Sequence, residues 1–281
     1  MKLLRFGPKG QEKPGILDSD GRIRDLSGHV ADIGGAAITP DGLAKLAKID
    51  VSSLPAVSGN PRLGPCVANV GKFICIGLNY SDHAAETGSP VPPEPIIFMK
   101  ANSAICGPND DVIIPRGSEK TDWEVELAVV IGKPAKHVSE AEALDHVAGY
   151  AITNDVSERA FQIERQGQWT KGKSCDSFGQ IGPWLVTPDE VADPQNLKMW
   201  LNVNGKTMQD GSSGTMVYGV AFLIHYLSQF MTLHPGDVIS TGTPPGVGMG
   251  QTPPRYLRAG DVVELGTEGL GQQRQARIDA A

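Results

Sequence analysis

The stretch Asp122-Trp123-Glu124-Val125-Glu126-Leu127-Ala128-Val129-Val130-Ile131 alternates acidic and apolar side chains, then turns wholly apolar. Alternation with period two marks a strand. It puts Asp122, Glu124 and Glu126 on one face and Trp123, Val125 and Leu127 on the other. The apolar half, 128–131, reads as core. Like charges on one strand face repel, and near a core they need a compensating cation. A hard divalent ion with oxygen ligands would supply it. A solvated face of an antiparallel sheet is the plainer alternative.

The neighbouring segments share this texture. KFICIG (72–77) is a short buried-type strand, a Pro-rich loop feeds a strand ending at Lys100, and AGYAITND (148–155) and DVIS (237–240) read as further strands. Helical patterns are scattered: 40–48, a Ser139/Glu142 capping box opening a helix that ends near Tyr150, 157–166, and 215–232 with Leu223, Ile224 and Leu227 at helical spacing. His225, within that last pattern, reads as a satisfied core or edge residue. Strands dominate, so the expected class is β-rich α+β, a roll or sandwich. Residues 1–66 read as a small N-terminal module closing in the Ser/Pro/Gly linker 52–65, and residues 67–281 as the catalytic domain.

Composition agrees. The 281 residues include 34 Gly and 21 Pro, about a fifth of the chain against a usual share of about 12%, which disfavours a helical bundle. Basic residues number 25 against 32 acidic, a net charge of −7. No basic block offsets the acid, so nucleic acid and anionic membranes are not expected partners. MKLLRFGPKG lacks the apolar core of a signal peptide. The four cysteines form no C-x-x-C pair, so a reduced, cytoplasmic protein is expected.

Further polar residues stand where apolar strands stop. Asp155 ends AGYAITND, and with Glu124 and Glu126 it would give three carboxylates, leaving open positions on Mg²⁺ or Mn²⁺ for water and substrate. No Cys/His cluster has zinc-ligand spacing. His83 and Glu86, at i and i+3 after KFICIG, can touch and could take a proton from water, or be surface residues on a loop helix. Lys173, beside Gly172, could meet a carboxylate or an enolate oxygen, or lie in an exposed turn. Arg159, Gln162, Arg165 and Gln168 lie within ten residues and could reach polar substrate groups or form a solvated helix face. The glycines of 240–248 are followed by prolines and no Gly-Lys-Ser/Thr, which excludes a nucleotide loop. There, Thr243 and backbone N–H groups could hold a substrate carboxylate.

Together these segments resemble the fumarylacetoacetate hydrolase family. The likeness lies in G-x-N-Y-x-x-H-x-x-E (77–86), F-x-K (98–100), D-x-E-x-E-L-x-x-V-I-G (122–132), G-Y-x-x-x-N-D (149–155), Lys173-Ser174 and P-G-D-V-I-x-T-G-T-P-x-G-V-G (235–248). The resemblance implies a mixed β-sandwich roll, usually a homodimer or higher homo-oligomer. It implies Mg²⁺ or Mn²⁺ on Glu124, Glu126 and Asp155, a His83–Glu86 dyad on a lid, and Lys173 facing substrate. Tyr80, Lys100, Arg159, Gln162, Gln168 and Thr243 are the implied substrate contacts. The implied substrate is a 2-oxo acid, and the implied reaction is hydrolysis of the C–C bond of a 2,4-diketo acid. Residues 158–184 look most like the subgroup acting on 2,4-diketo-3-deoxy sugar acids in sugar acid catabolism, giving pyruvate and a hydroxy acid such as lactate. Decarboxylase/isomerases of catechol-pathway oxo-dioates and ureidoglycolate lyases are the implied alternatives. A metal-binding protein without turnover is a remoter one.

Overall fold

The computed structural model describes residues 1–86 and 90–280, the side chains of 83–85 excepted. Val125–Ile131 lies inside a ten-stranded sheet. Val147–Asp155 pairs antiparallel on one side, with Thr153 opposite Glu126 and Ala151 opposite Ala128. Val238–Ser240 pairs antiparallel on the other, with Ser240 opposite Ala128. The sheet continues through Gly179–Val186, Lys2–Phe6, Lys13–Leu17 and Ile23–Asp25 at one end, and through Phe73–Gly77 and Ile96–Lys100 at the other. Ile105–Cys106 joins Gly179–Val186 in parallel. A second sheet runs in the order Lys206–Ser212, Lys198–Val203, Val262–Thr267, Gly271–Asp279, Val112–Ile114. This is the β-rich α+β architecture the strand pattern predicts.

The period-two pattern decides the packing. Val125, Leu127, Val129 and Ile131 enter the core shared with Met199, Leu201, Val263 and Leu265 of the second sheet. Ala128 and Val130 face the opposite way, onto Leu3, Ile16, Phe73 and Ile181. Each fully buried Val, Leu or Ile contributes about 1.5–3 kcal/mol, so a one-residue register slip would be prohibitive. The helix Val220–Phe230 covers the first core with Val220, Leu223, Ile224 and Leu227. Within segment 1–66, Lys2–Phe6 pairs with Gly179–Val186, and Leu26 and Ile33 share a core with Phe73 and Val130.

Three local expectations are corrected. The Ser139/Glu142 pair meets through its side chains, Ser139 Oγ donating to Glu142 Oε2 at 2.7 Å, but the Ser139 side chain takes no backbone N–H, so the expected capping box is not made. The pair opens only the 3₁₀ turn Glu140–His146, because Val147–Asp155 is drawn into the sheet. Residues 157–166 become the two-residue strand Ser157–Glu158 and the π-helical turn Ala160–Glu164. The helix expected over 215–232 starts at Val220, because Met216 bridges to Tyr80 and the Asn79 side chain accepts from Tyr218 N–H. His225 settles at the helix edge, its Nδ1 2.7 Å from Val138 O. No helix among the described residues is long and apolar enough to cross a membrane.

Candidate active site

Strand register assembles the acids. With Thr153 opposite Glu126, Asp155 falls beside Glu124, whose carbonyl accepts the Asp155 N–H at 2.9 Å. Residues two apart share a strand face, so Glu124, Glu126 and Asp155 converge. All three are buried, and one carboxylate oxygen from each lies within 4.8 Å of the others. Glu126 Oε2 accepts Ser240 Oγ–H at 2.5 Å and Gly242 N–H at 2.8 Å. Burial, and then the charges of Asp155 and Glu124, push the Glu126 carboxyl well above its ordinary range, against the pull of Lys173 and Ser240. Asp122, on the same face, holds a loop. Its Oδ1 accepts from Gly248 N–H at 2.6 Å and its Oδ2 from Met249 N–H at 3.0 Å.

Three buried cations face these four acids. Arg159 donates through Nε to Asp122 Oδ2 (2.8 Å), through Nη2 to Glu124 Oε1 (2.6 Å) and through Nη1 to Gln162 Oε1 (3.1 Å). Lys173 Nζ donates to Glu124 Oε2 and Asp155 Oδ2, 2.7 Å each. Burial alone would push Lys173 down, but Asp155 and Glu124 outweigh it and hold the ammonium charged. Lys100 Nζ donates to Val156 O (3.0 Å) and Lys173 O (2.6 Å). Lys173 sits on the short helix Thr170–Lys173, seated by Gly172. A Cβ on Gly172 would stand 2.4 Å from Glu158 O and 2.5 Å from Gln162 N, so any side chain there pushes Lys173 off the carboxylates.

A divalent cation fits this set. The donors are all carboxylate oxygens, as a hard cation prefers. The four acids outnumber the three cations by one. Asp155 Oδ1 lies 2.5 Å from Lys100 Nζ yet lacks the alignment of a hydrogen bond, and it is buried.

A cavity of about 250 Å³ opens over the cluster, with Glu124, Glu126, Arg159, Gln162, Lys173 and Thr243 on its polar side. That is near the lower end of ordinary ligand pockets, about 300 Å³. Three residues with implied substrate contacts do not line it. Tyr80 is fully buried, its hydroxyl against Met199 Sδ at 3.5 Å. Lys100 lies behind Asp155, and Gln168 is exposed at the turn before Thr170. Glu86, on the helix Ser81–Glu86, accepts the Gly246 N–H at 3.0 and 3.1 Å through its two oxygens. The expected His83–Glu86 contact involves a side chain outside the described residues.

Sequence reasoning missed two supports. Asn154 Oδ1 accepts from Glu124 N–H at 3.1 Å. Gln209, reaching from the second sheet, accepts from Val125 N–H at 3.0 Å and donates to Thr243 Oγ1 at 2.8 Å. Asn154 adjoins Asp155 in the motif and was discoverable from it, whereas nothing local marks Gln209.

Residues 72–277 match the family described as fumarylacetoacetate (FAA) hydrolase C-terminal. A Burkholderia lata protein with only a provisional hydrolase name is 65% identical over 281 residues, covering 100% of both chains. The solved fumarylacetoacetate hydrolase of psychrophilic Exiguobacterium antarcticum is 34% identical with a TM-score of 0.87, covering 100% of both chains. The maleylpyruvate hydrolase of Sphingobium sp. SYK-6, solved with manganese(II) and pyruvate, is 28% identical with a TM-score of 0.83, again covering 100% of both.

Proposed function

Because the chain belongs to the fumarylacetoacetate hydrolase family, we propose that it is a divalent-metal-dependent hydrolase that cleaves a 2,4-diketo acid between C3 and C4. The products would be pyruvate and the carboxylic acid of the acyl tail. The observation that carries this reading is the buried Glu124–Glu126–Asp155 cluster, with Lys173 across two of its members and with Glu124, Glu126 and Lys173 lining a small cavity. The manganese and pyruvate in the Sphingobium relative support it. A bound Mg²⁺ or Mn²⁺ on the three carboxylates would supply a Lewis acid for the 1-carboxylate and 2-oxo group.

The chain's own residues would then do the following. Arg159 and Gln162 brace Glu124 and shape the cavity floor. Lys173, held charged, faces the oxygen on which negative charge grows as C3 departs. His83, oriented by Glu86, takes a proton from water as the water oxygen bonds to C4. The C3–C4 bond breaks with its electron pair moving onto the three-carbon fragment, and protonation at C3 completes pyruvate. Water thus supplies OH to the acyl carbon and H to the methyl group.

The test is pyruvate release from acylpyruvates with Mg²⁺ or Mn²⁺. His83→Ala is expected to lower kcat by about 10²–10⁴ while leaving metal binding in place, and undiminished activity would remove the dyad. Release of CO₂ with a product one carbon shorter would replace hydrolysis by decarboxylation.

A further inference from the structure

The walls of the cavity differ from its floor. Ile76, Leu78, Phe98, Ile163, Trp169 and Met249 surround the space above the carboxylates. Trp169 meets Phe98 edge-on, ring centroids 5.2 Å apart. Among the described lining residues the only cations are Arg159 and Lys173. Both are already committed, Arg159 to Asp122 and Glu124 and Lys173 to Glu124 and Asp155. Thr243 uses its one O–H on Val125 O at 2.9 Å, and Gln162 Oε1 accepts from Arg159, so the Gln162 amide has only its N–H groups to offer a tail.

We infer that the substrate is an acylpyruvate with a short apolar acyl tail, lying against Phe98, Ile163, Trp169 and Met249. This rests on the hydrolase reading above and narrows it. A second carboxylate held against Phe98 and Trp169 would lose water with no uncommitted cation among the described lining residues to meet it. A polyhydroxylated tail would press several hydroxyls onto apolar side chains, and each buried without a partner is penalised. An alkyl tail gains at every carbon taken from water. The wall thus disfavours the sugar-acid tail that residues 158–184 suggest by resemblance, even though Ile163 and Trp169 lie within those residues.

The experiment is a panel assayed with Mn²⁺ by pyruvate release: acetyl-, butanoyl- and pentanoylpyruvate, succinylpyruvate, and a polyhydroxylated 2,4-diketo acid. From acetyl to pentanoyl, kcat/KM is expected to rise about three- to fourfold per methylene. Succinylpyruvate and the polyhydroxylated compound are expected at least tenfold below pentanoylpyruvate. If either equals or exceeds it, the apolar-tail inference is overturned while the hydrolase reading stands. If no compound yields pyruvate, the hydrolase reading falls, and the same order is read from thermal shifts by the panel. A flat or reversed order there overturns the tail inference as well. Ile163 is 48% exposed, so Ile163→Lys is expected to fold. It should raise the succinyl-to-pentanoyl ratio of kcat/KM at least tenfold, and an unchanged ratio would remove Ile163 from the tail's path.

Discussion

Glu126→Gln separates a metal ligand from a structural acid, because the two roles predict opposite changes in stability. Glu126 is fully buried beside Asp155 and Glu124. Without an ion, the four acids of the cluster face three cations, Arg159, Lys100 and Lys173. A carboxamide keeps the volume of Glu126 and still accepts from Ser240 Oγ and Gly242 N–H, and it removes the ionisable group whose charge burial, Asp155 and Glu124 all oppose. In the presence of a chelator the variant should therefore melt at or above the wild type. With saturating Mn²⁺ the order should invert. An ion at a hundredfold excess over its Kd stabilises the wild type by about 2.7 kcal/mol. At about 2–4 °C per kcal/mol for a chain of this size, the wild-type melting temperature should rise by about 5–10 °C. Removing one negative charge about 4 Å from a cation, at an effective permittivity of about 20, costs about 4 kcal/mol per unit of positive charge. A divalent ion then loses well over three decades of affinity, and the Glu126→Gln protein should shift by less than about 1 °C. Differential scanning fluorimetry with chelator, Mg²⁺ and Mn²⁺ measures all of this. A variant that melts below the wild type in chelator and shifts as far with Mn²⁺ would refute the assignment.

Two further outcomes follow from the geometry. Gly246 has φ +104°, and a Cβ there would stand 1.9 Å from Met208 O. Gly246→Ala is therefore expected to cost at least about 3 kcal/mol and to displace the N–H that Glu86 accepts; a variant with wild-type melting and wild-type turnover would contradict it. Arg62 joins the two ends of a long chain contact, binding Asp110 through two nitrogens at 2.6 and 2.7 Å and Glu12 at 2.9 Å. Burial pushes the Glu12 carboxyl up, but the Arg62 hydrogen bond and the further contacts outweigh it and leave it below 4.5. An acid with a depressed folded value contributes stability above its unfolded value and loses it as pH falls through the folded one. Arg62→Met should thus cost about 2–3 kcal/mol near pH 7, and chemical denaturation should show the gap narrowing as pH falls from the ordinary carboxylate value through the depressed value of Glu12. A gap independent of pH would show that Arg62 acts through packing alone.

The floor of the site was legible because it is written in strand periodicity. The alternation over 122–127 puts Glu124 and Glu126 on one face, and Asp155 at the end of AGYAITND reaches them through a register that the apolar pattern enforces. What periodicity cannot give is the partner of a charge. Lys100 meets Asp155 and Gln209 meets Val125 from segments far apart in the chain; the F-x-K motif marked Lys100 as a substrate contact and not as the partner of Asp155, and nothing local marked Gln209. The Ser139/Glu142 box shows the opposite failure. Its two side chains meet without Ser139 capping the backbone, and pairing of Val147–Asp155 on both edges outweighs the helix they would have started, since a central strand buries side chains on both faces.

The wall of the cavity was the least legible part, for the same reason. Ile163, Trp169 and Met249 lie outside the strands, on a π-helical turn, just before the short helix Thr170–Lys173 and on the 3₁₀ turn Gly248–Gly250. No hydrophobic period points any of the three inward. Met249 is positioned through its N–H on Asp122, and Trp169 through its ring on Phe98. Both anchors belong to the strand framework, while the side chains they hold out line the cavity. A chain can therefore keep the carboxylates, and with them the chemistry, while its wall changes one residue at a time. Resemblance across 158–184 accordingly reports the seating of Lys173 by Gly172 more faithfully than it reports the tail. The polarity of Ile163, Trp169 and Met249 is the better guide to the tail of the proposed substrate.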